Sequence, residues 1–382
     1  RGRTGARGST QEAFGRIMAE LARDGGELSG RIVTASPDVT VSTSLGGWVN
    51  RRGVFSRHEA ADVFRLENVV SAQKWALGGR GQHIELGIAE HNLFLTLAAL
   101  GLAGPLFGRR LLPVGTVYDP FIARGLDALI YALYQDARFM LVATPSGITL
   151  APEGGAHQSV TTPLIGMGLP GLASFEPAFV DELAEILRFG FEHMQAEEGG
   201  GSVYLRLSTR SIPQPQREPT PELRRDVIRG GYWLFEPSPE AELALVYAGA
   251  VAPEVMEARE ALAEDLHGVG VLAVTSAERL HADWRRAQRA RADGAGDAAS
   301  HVERLLARTR PDCALITVQD GHPAALSWLG AAARRPTYPL GVSEFGQSGD
   351  IPDLYRRHRI DALAIVDAAA LACRDALLRR RG

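Results

Sequence analysis

The chain has 382 residues, of which 45% are hydrophobic and 23% charged, a composition typical of a globular protein with room for two or three domains. Its net charge of −4 excludes a bulk electrostatic attraction to nucleic acid or to an anionic membrane. The two cysteines, Cys313 and Cys373, form neither a disulfide framework nor a zinc-ligand pattern, which favours a reducing, cytoplasmic location.

Segments of helical and strand character alternate from Ser9 to about Leu207. We predict an amphipathic helix whose N-cap is Thr10, with Glu12 just inside its first turn. A second helix is predicted across 180–194, where apolar residues recur at helical spacing. The predicted strands are 31–36, 109–118, 137–144 and 201–208. Such alternation is typical of a parallel sheet covered by helices.

The segment Ser211–Asp226 carries four prolines and shows no periodicity, and we predict a linker there. Beyond it the alternation resumes, with predicted strands at 241–250, 269–276 and 313–320, predicted helices at 251–264 and 301–311, and a last apolar segment at 361–369. The charged segment 284–300 is predicted to be a surface excursion. The predicted fold class is α/β, with parallel-sheet domains at 1–210 and 227–382 joined by the linker 211–226.

Neither a secretory signal nor a membrane span is expected. The N-terminal segment RGRTGARGST has no apolar core. The longest apolar run, 93–107, is too short and too interrupted by glycine to span a bilayer. The chain does not begin with methionine, which is consistent with a fragment or a processed piece of a longer polypeptide.

Glu90 stands where a loop is predicted to enter a buried helix. Apolar residues such as Phe94 and Leu97 recur after it near helical spacing. A carboxylate in this position loses water, and burial of an unpaired charge is costly. Glu90 is therefore expected to have a partner.

Two further elements follow predicted strands. Tyr118 and Phe121 lie around a proline-containing turn, and Glu153 and His157 lie in a glycine-rich loop. Because ligands bind open α/β sheets at the carboxyl ends of the strands, these elements and Glu90 are predicted to converge on one rim.

Each element also has a purely structural interpretation. Glu90 is compatible with a charge that the helix macrodipole favours, the two aromatic residues with core packing, and His157 with a solvated loop. A metal site at the Glu90–His91 pair is not expected, because adjacent side chains point in different directions and no third ligand follows at a suitable spacing.

Five motifs resemble those of transketolase-like thiamine-diphosphate enzymes. PVGTVYDPFIARGLD resembles the same stretch of 1-deoxyxylulose-5-phosphate synthase, and GIAEHN resembles G-I-A-E of that family and G-x-x-E-H of transketolase. EFGQSGDIPDLY resembles F-G-x-S-G-x-x-P of transketolase. TLAPEGGAH and VLAVTSAERLHADW are most similar to the single-chain first component of the pyruvate dehydrogenase complex. The resemblance, from about Ser9 to Val366, implies a transketolase-like pyrimidine-binding domain followed by a transketolase C-terminal domain.

This resemblance implies that Glu90 hydrogen-bonds a ring nitrogen of the aminopyrimidine of thiamine diphosphate. A proton shared with that nitrogen stabilises the imino form of the neighbouring amino group, which then takes the proton from the thiazolium carbon. The cofactor carries the carbanion chemistry, and the protein positions and tunes it. Tyr118 and Phe121 fall on the aromatic positions that pack against the pyrimidine.

Three further positions are implied by the same resemblance. His157 falls on an active-site histidine that faces the substrate oxygen, where it is suited to proton exchange. Glu153 occupies a nearby acidic position. Asp38, in SPDVTVST, resembles an acidic residue at the edge of the family's site.

The resemblance also implies a missing half of the site. The family binds the diphosphate and its divalent ion, Mg²⁺, through a separate α/β domain with a G-D-G sequence, and this chain has no such sequence in that context. No metal ligand is therefore expected in this chain. We expect an N-terminal diphosphate-binding domain or subunit as a partner, and a homodimer or an α2β2-like assembly.

Three functions are compatible with the motifs. The first is decarboxylation of a 2-oxo acid, pyruvate being favoured, with transfer of the acyl fragment to the lipoyl group of an acyltransferase. The second is transketolase-type ketol transfer between sugar phosphates. The third is a non-catalytic subunit, which would have no physical need to keep Glu90, Tyr118, Phe121 and His157 together.

Phosphate-binding positions favour the 2-oxo acid over a sugar phosphate. Where related sugar-phosphate enzymes have a histidine or an arginine, this chain has Pro145 and Ser146. Where transketolase has an arginine after L-x-L-S, it has Thr209, and Arg210 is displaced by one residue to the opposite face of an extended strand. A doubly charged phosphate must be paired when it leaves water, whereas a small 2-oxo acid needs no such cradle.

Overall fold

Two sheets organise the chain. The computed structural model describes residues 6–58, 67 and 74–381. Within them an eight-stranded sheet forms the first half, a five-stranded sheet forms the second, and a two-stranded ribbon lies at the boundary. In this described part, no helix is apolar over a length sufficient to cross a membrane.

The strands of the first half include several short ones that the sequence analysis did not predict. They are β1 (Arg7–Gly8), β2 (Ile32–Ser36), β3 (Val54–Phe55), β4 (Leu77–Gly78), β5 (His83–Glu85), β6 (Leu112–Val117), β7 (Met140–Ala143), β8 (Leu172–Phe175), β9 (Ser202–Arg206) and β10 (Ile212–Pro213). The large sheet has the order β4, β3, β5, β2, β6, β7, β9, β8, and its strand pairs are parallel. The four predicted strands of this half correspond to β2, β6, β7 and β9.

Helices cover both faces of this sheet. They are α1 (Thr10–Asp24), α2 (Glu27–Arg31), α3 (Gly46–Arg52), α4 (Glu90–Gly101), α5 (Ala103–Phe107), α6 (Leu126–Tyr134), α7 (Thr162–Gly168) and α8 (Val180–Gln195). Because side chains alternate along a strand, Met140 packs in one cluster with Phe14 of α1, whereas Leu141 packs in the other with Phe94 of α4. The expected α/β fold with a parallel sheet is confirmed.

The predicted N-cap of α1 was wrong by one residue. The side chain of Ser9 accepts a hydrogen bond from the backbone N of Glu12 at 3.2 Å, so Ser9 is the cap and Thr10 is the first helical residue. The Thr10 hydroxyl accepts instead from the backbone N of Ser208, at 2.9 Å. The local sequence does not predict this contact, because Thr10 and Ser208 are far apart along the chain.

The segment predicted as a linker is partly structured. β10 pairs antiparallel with β1, and α9 (Pro221–Arg229) begins inside the segment. Thr220 caps α9 by accepting from the backbone N of Leu223 at 3.2 Å, and Val227 is buried. The capping side chain and the buried apolar residue stabilise this helix, although the prolines of the segment led to the prediction of a linker.

The second half is a smaller α/β unit with a mixed sheet. Its strands are β11 (Gly231–Phe235), β12 (Leu243–Ala248), β13 (Gly270–Val274), β14 (Ala314–Gln319) and β15 (Thr337–Leu340), in the order β11, β13, β12, β14, β15. β11 is antiparallel to β13, and the other pairs are parallel. The helices are α10 (Ala252–Leu262), α11 (Ala277–Ala292), α12 (His301–Leu306), α13 (Ala324–Ser327), α14 (Leu329–Ala333), α15 (Ile351–Arg357) and α16 (Ala362–Arg381).

The predicted surface excursion at 284–300 was wrong in its first part, because α11 extends to Ala292. Ser276 caps this helix by accepting from the backbone N of Arg279 at 3.1 Å. Leu280 and Ala287 are buried on its inner side. The charged residues between them therefore belong to the outer side of a helix.

A buried ionic cluster joins the two halves, and we call its members Arg206, Asp119, Glu176 and Asp320 the interdomain cluster. Arg206 Nε lies 3.0 Å from Asp119 Oδ2, and Arg206 Nη1 lies 2.5 Å from Glu176 Oε1. Arg206 Nη2 donates to the backbone oxygen of Asp320, after β14, at 2.8 Å. Because an unpaired charge is costly in such a place, this cluster fixes how the sheets meet.

Candidate functional site

Glu90 is the first residue of α4, and it is 7% exposed. The helix N-terminus favours a carboxylate there. Its partner is Arg124, whose guanidinium donates to Glu90 Oε1. Arg124 lies in the 3₁₀ turn Asp119–Gly125. Its side chain is 50% exposed, whereas the side chain of Glu90, counted without its backbone, is 9% exposed. The pairing answers the expectation that this buried carboxylate needs a partner.

Tyr118 and Phe121 stand together at the carboxyl end of β6. Their ring centroids are 6.0 Å apart and the ring planes differ by 21°. The guanidinium carbon of Arg124 lies 3.7 Å from the Phe121 ring centroid, in a cation–π contact. Both aromatic residues are half-buried, so they are partly accessible beside Glu90.

Asp119 anchors the turn that carries these rings. Its carboxylate is fully buried, and it accepts from Arg206 Nε at 3.0 Å, from the Tyr204 hydroxyl at 2.6 Å and from the Thr162 hydroxyl at 2.6 Å. Such charge-assisted bonds are stronger than neutral ones. The interdomain cluster therefore also holds the turn between Tyr118 and Phe121 in place.

His157 closes another side of the site. Its ring centroid lies 5.3 Å from that of Phe121, with the planes at 69°. His157 Nε2 and Glu153 Oε2 are 4.0 Å apart, and both side chains are partly exposed. Glu90, Arg124, Phe121 and His157 are thus joined through successive contacts, as the rim hypothesis predicted.

The loop with Glu153 and His157 is held by the second half of the chain. Gln158 Nε2 donates to the backbone oxygen of Gln347 at 3.0 Å. Gly154 has φ +66°, and a Cβ there would lie 2.5 Å from the backbone N of Ser348. Only glycine fits this close approach. Part of the EFGQSGD motif therefore supports the His157 loop.

Asp38 lies apart from these side chains. It follows β2 with φ 66°, and its backbone N donates to Glu85 Oε1 at 2.8 Å. Within the described ranges, no contact joins the Asp38 side chain to Glu90, Phe121 or His157. Asp38 nevertheless shares the rim, because β2 lies between β5 and β6 in the sheet.

Glu85 is a second acidic residue at this edge, and the sequence analysis did not select it. Burial opposes its ionisation, but hydrogen bonds with His83, with Thr40 and with the backbone of Asp38 together hold its pKa below the ordinary value. The Thr40 hydroxyl donates to Glu85 Oε2 at 2.7 Å. His83 and Glu85 belong to one short strand, whose sequence pattern is too short to indicate an acidic residue of the site.

Arg124 is the residue whose role sequence reasoning missed. The motif around it was recognised, but no function was given to the arginine. A guanidinium is a planar N–C–N group that donates hydrogen bonds and stacks on aromatic rings. It occupies this site by donating to Glu90 while lying over Phe121. The residues present thus fit a flat, nitrogen-bearing ring such as an aminopyrimidine.

The described residues contain no group of three or more His, Cys, Asp or Glu side chains arranged to hold a metal ion.

Comparison with known proteins identifies both halves of the chain. Residues 7–214 match the pyrimidine-binding domain of transketolase, and residues 230–361 match a transketolase-like C-terminal domain. The pyruvate dehydrogenase E1 component of Pseudomonas aeruginosa is 26% identical over 381 residues, covering 96% of this chain and 42% of that protein. The E1 component of Mycolicibacterium smegmatis is 28% identical over 375 residues, covering 94% of this chain and 39% of that protein.

Solved structures agree in fold. Transketolase from Leishmania mexicana superposes with a TM-score of 0.73 at 20% identity, covering 98% of this chain and 47% of that one. Transketolase from Campylobacter jejuni has a TM-score of 0.69 at 19% identity, covering 95% and 46% of the two chains. This chain therefore spans less than half the length of these relatives.

The two matched domains lead to one assignment: the chain belongs to the transketolase-like family of thiamine-diphosphate-dependent enzymes, of which it has the pyrimidine-binding and C-terminal domains.

Proposed function

We propose that this chain is the C-terminal part, or a β-like subunit, of the first component of a 2-oxo acid dehydrogenase. Pyruvate is the proposed substrate, and the lipoyl group of an acyltransferase is the proposed acceptor. The observation that carries the proposal is the buried Glu90 at the start of α4, beside the Tyr118–Phe121 pair. Relatives that match nearly the whole chain are named pyruvate dehydrogenase E1 component.

The chemistry that thiamine diphosphate supplies when it is bound is stabilisation of a carbanion. When the cofactor is bound, Glu90 would share a proton with a ring nitrogen of the aminopyrimidine, and Tyr118 and Phe121 would pack against that ring. Arg124 withdraws from Glu90, which its half-exposed side chain permits. The buried surroundings keep water from competing for the Glu90 carboxylate.

His157 acts on the substrate side of the proposed site. Its ring stands edge-on to Phe121, so it faces the same space from another direction. A histidine in this position donates a proton to, or accepts one from, the substrate oxygen. Glu153 lies next to it, with its Oε2 atom 4.0 Å from His157 Nε2.

The residues at the second phosphate-binding position, Thr209 and Arg210, support a small 2-oxo acid. The side chain of Arg210 already pairs with residues of the second half of the chain. Its Nη1 and Nη2 atoms lie 2.7 Å and 2.6 Å from the Glu254 carboxylate, and its guanidinium group lies over the Tyr355 ring. Thr209 donates to the backbone oxygen of Thr149 at 3.0 Å. Neither residue is poised to neutralise a sugar phosphate.

The complete enzyme is expected to turn over pyruvate and to be slow with xylulose 5-phosphate. An assay with an artificial electron acceptor measures the first reaction, and formation of the ketol product with ribose 5-phosphate measures the second. Efficient ketol transfer without pyruvate decarboxylation would replace this proposal with transketolase activity. Absence of both reactions from an assembled, cofactor-loaded enzyme would favour a non-catalytic subunit.

The diphosphate half of the cofactor site is proposed to come from a partner domain or subunit, which also holds Mg²⁺. The chain spans about 40% of the length of its curated relatives. An apolar surface on α4, α5 and α6 supports an assembly such as a homodimer or an α2β2 complex. Its exposed side chains are Leu95, Leu106, Phe107, Ile130, Tyr131 and Tyr134.

The chain by itself is expected to fold but to bind thiamine diphosphate very weakly, because half of the ligands are absent. Calorimetric titration with thiamine diphosphate and Mg²⁺ would show little heat until the partner is added. The control is the same titration without Mg²⁺, which should change the affinity only after the partner is present. Tight, Mg²⁺-dependent binding by this chain alone would contradict the division of the site between two domains.

A further inference from the structure

A cleft of about 280 Å³ opens in the second half of the chain, away from the Glu90 site. It lies where the end of α9 meets the first turns of α11 and α12. Four arginines line it: Arg229, Arg279, Arg286 and Arg304. We call this feature the arginine cleft.

The arginine cleft carries a surplus of positive charge. Its four guanidinium groups face two carboxyl groups, those of Glu278 and Asp283, which leaves a formal excess of two positive charges. Burial raises the pKa of Glu278, although Arg279 attracts its charged form. The raised pKa favours the neutral form of this carboxyl group. Grouping like charges is unfavourable unless an anion lies among them.

The carboxylates do not satisfy these arginines. Arg286 Nη2 lies 3.3 Å from Asp283 Oδ1, but Arg304 donates to the backbone oxygen of Ala299. The side chain of Arg229 makes no hydrogen bond or ion pair with any residue in the ranges that the structure describes. Several N–H groups are thus available to one ligand.

The cleft is also held in shape. Arg279 Nε donates to the backbone oxygen of Ile228 at 2.6 Å, and its guanidinium lies 4.8 Å from the Phe189 ring centroid. The Asp283 carboxylate accepts from the backbone N of His301 at 2.6 Å, which ties α11 to α12. A binding group that is fixed in advance loses less entropy when its ligand arrives.

We propose that the arginine cleft binds a small phosphate-bearing anion with at least two negative charges. Guanidinium groups match the oxygen geometry of phosphate and bind it through paired, charge-assisted hydrogen bonds. The cleft volume lies just below the usual range for drug-sized ligands, which suits a compact anion of about the size of diphosphate. This site is independent of the thiamine-diphosphate chemistry proposed above.

Isothermal titration of the full chain with sodium diphosphate tests the proposal. Wild-type protein is expected to bind one diphosphate per chain. The double variant Arg229→Gln/Arg304→Gln should bind about a hundredfold more weakly, since each lost charge-assisted contact corresponds to about tenfold in affinity. The matched control, Arg285→Gln/Arg289→Gln, removes two exposed charges from α11 outside the cleft and should change affinity by less than about twofold.

Arg229→Gln alone keeps the test valid if the double variant misfolds, because Arg229 is exposed and has no partner to lose. It should weaken binding by about tenfold. Absence of saturable diphosphate binding by the wild type would overturn the proposal. So would equal weakening in the control variant, which would indicate only a general charge effect, or unchanged binding in both cleft variants.

Discussion

Replacing Glu90 by alanine in the assembled enzyme is expected to slow proton exchange at the thiazolium carbon of the bound cofactor by about 100- to 10,000-fold, the usual cost of removing a proton-transfer group. Glu90 is 7% exposed, and no other carboxylate contacts Arg124 or Phe121 in the described part of the chain. Water therefore cannot easily substitute for the lost group. Hydrogen–deuterium exchange on the bound cofactor, followed by NMR after acid quench, measures the rate.

Glu90→Gln separates this role from a purely structural one. The amide keeps the shape of the side chain but cannot share the proton, so the exchange rate should fall nearly as far. If Glu90 served only the helix macrodipole, both variants would lose about 0.3–1 kcal/mol of stability and keep their exchange rate. Glu222→Gln, in the first turn of α9, is the matched control for that helix effect. An unchanged exchange rate in the Glu90 variants would reject the proton-sharing role.

Replacing Arg206 by methionine is expected to lower the free energy of unfolding by about 3–5 kcal/mol, because it leaves buried carboxylates without their cation. The Arg206 side chain is 2% exposed, and it contacts Asp119 and Glu176 directly. Urea unfolding followed by circular dichroism measures the loss. Arg188→Met is the control: that arginine is 56% exposed and pairs with Glu185, so its removal should cost less than about 1 kcal/mol.

The pH dependence of the Arg206 variant gives an independent check. Burial raises the pKa of Glu176, and Arg206 opposes that rise. Without Arg206, the pKa of Glu176 in the folded protein lies further above its value in the unfolded chain. A carboxyl group whose pKa is raised by folding stabilises the folded state when it is protonated at low pH, and this contribution is lost as the pH rises through the folded pKa. The stability deficit should therefore be larger at about pH 8 than at about pH 5. A deficit that does not change with pH would mean that packing, rather than charge, explains the loss.

Much of the architecture could be predicted because it rests on local signals. Buried strands such as β7 and β12 are runs of apolar residues, and α8 repeats its apolar residues at helical spacing. The strands that were not predicted, such as β3 and β4, have two residues each and too little sequence to carry a period. α9 and α11 were obscured by prolines and by charge, and they form because a capping side chain and a few buried residues stabilise each of them.

The sequence by itself determined that Glu90, Phe121 and His157 would share one rim, because strand-to-loop order in a parallel sheet brings successive carboxyl ends to the same edge. Only the tertiary structure decided the pairings within that rim. Arg124 reaches Glu90 because the 3₁₀ turn curls back over α4, and Asp38 stays with Glu85 because β2 and β5 are neighbours. The arginine cleft likewise depends on three helices that are distant in sequence. Such contacts arise from packing between elements, and their geometry is not encoded in the period or composition of any one segment.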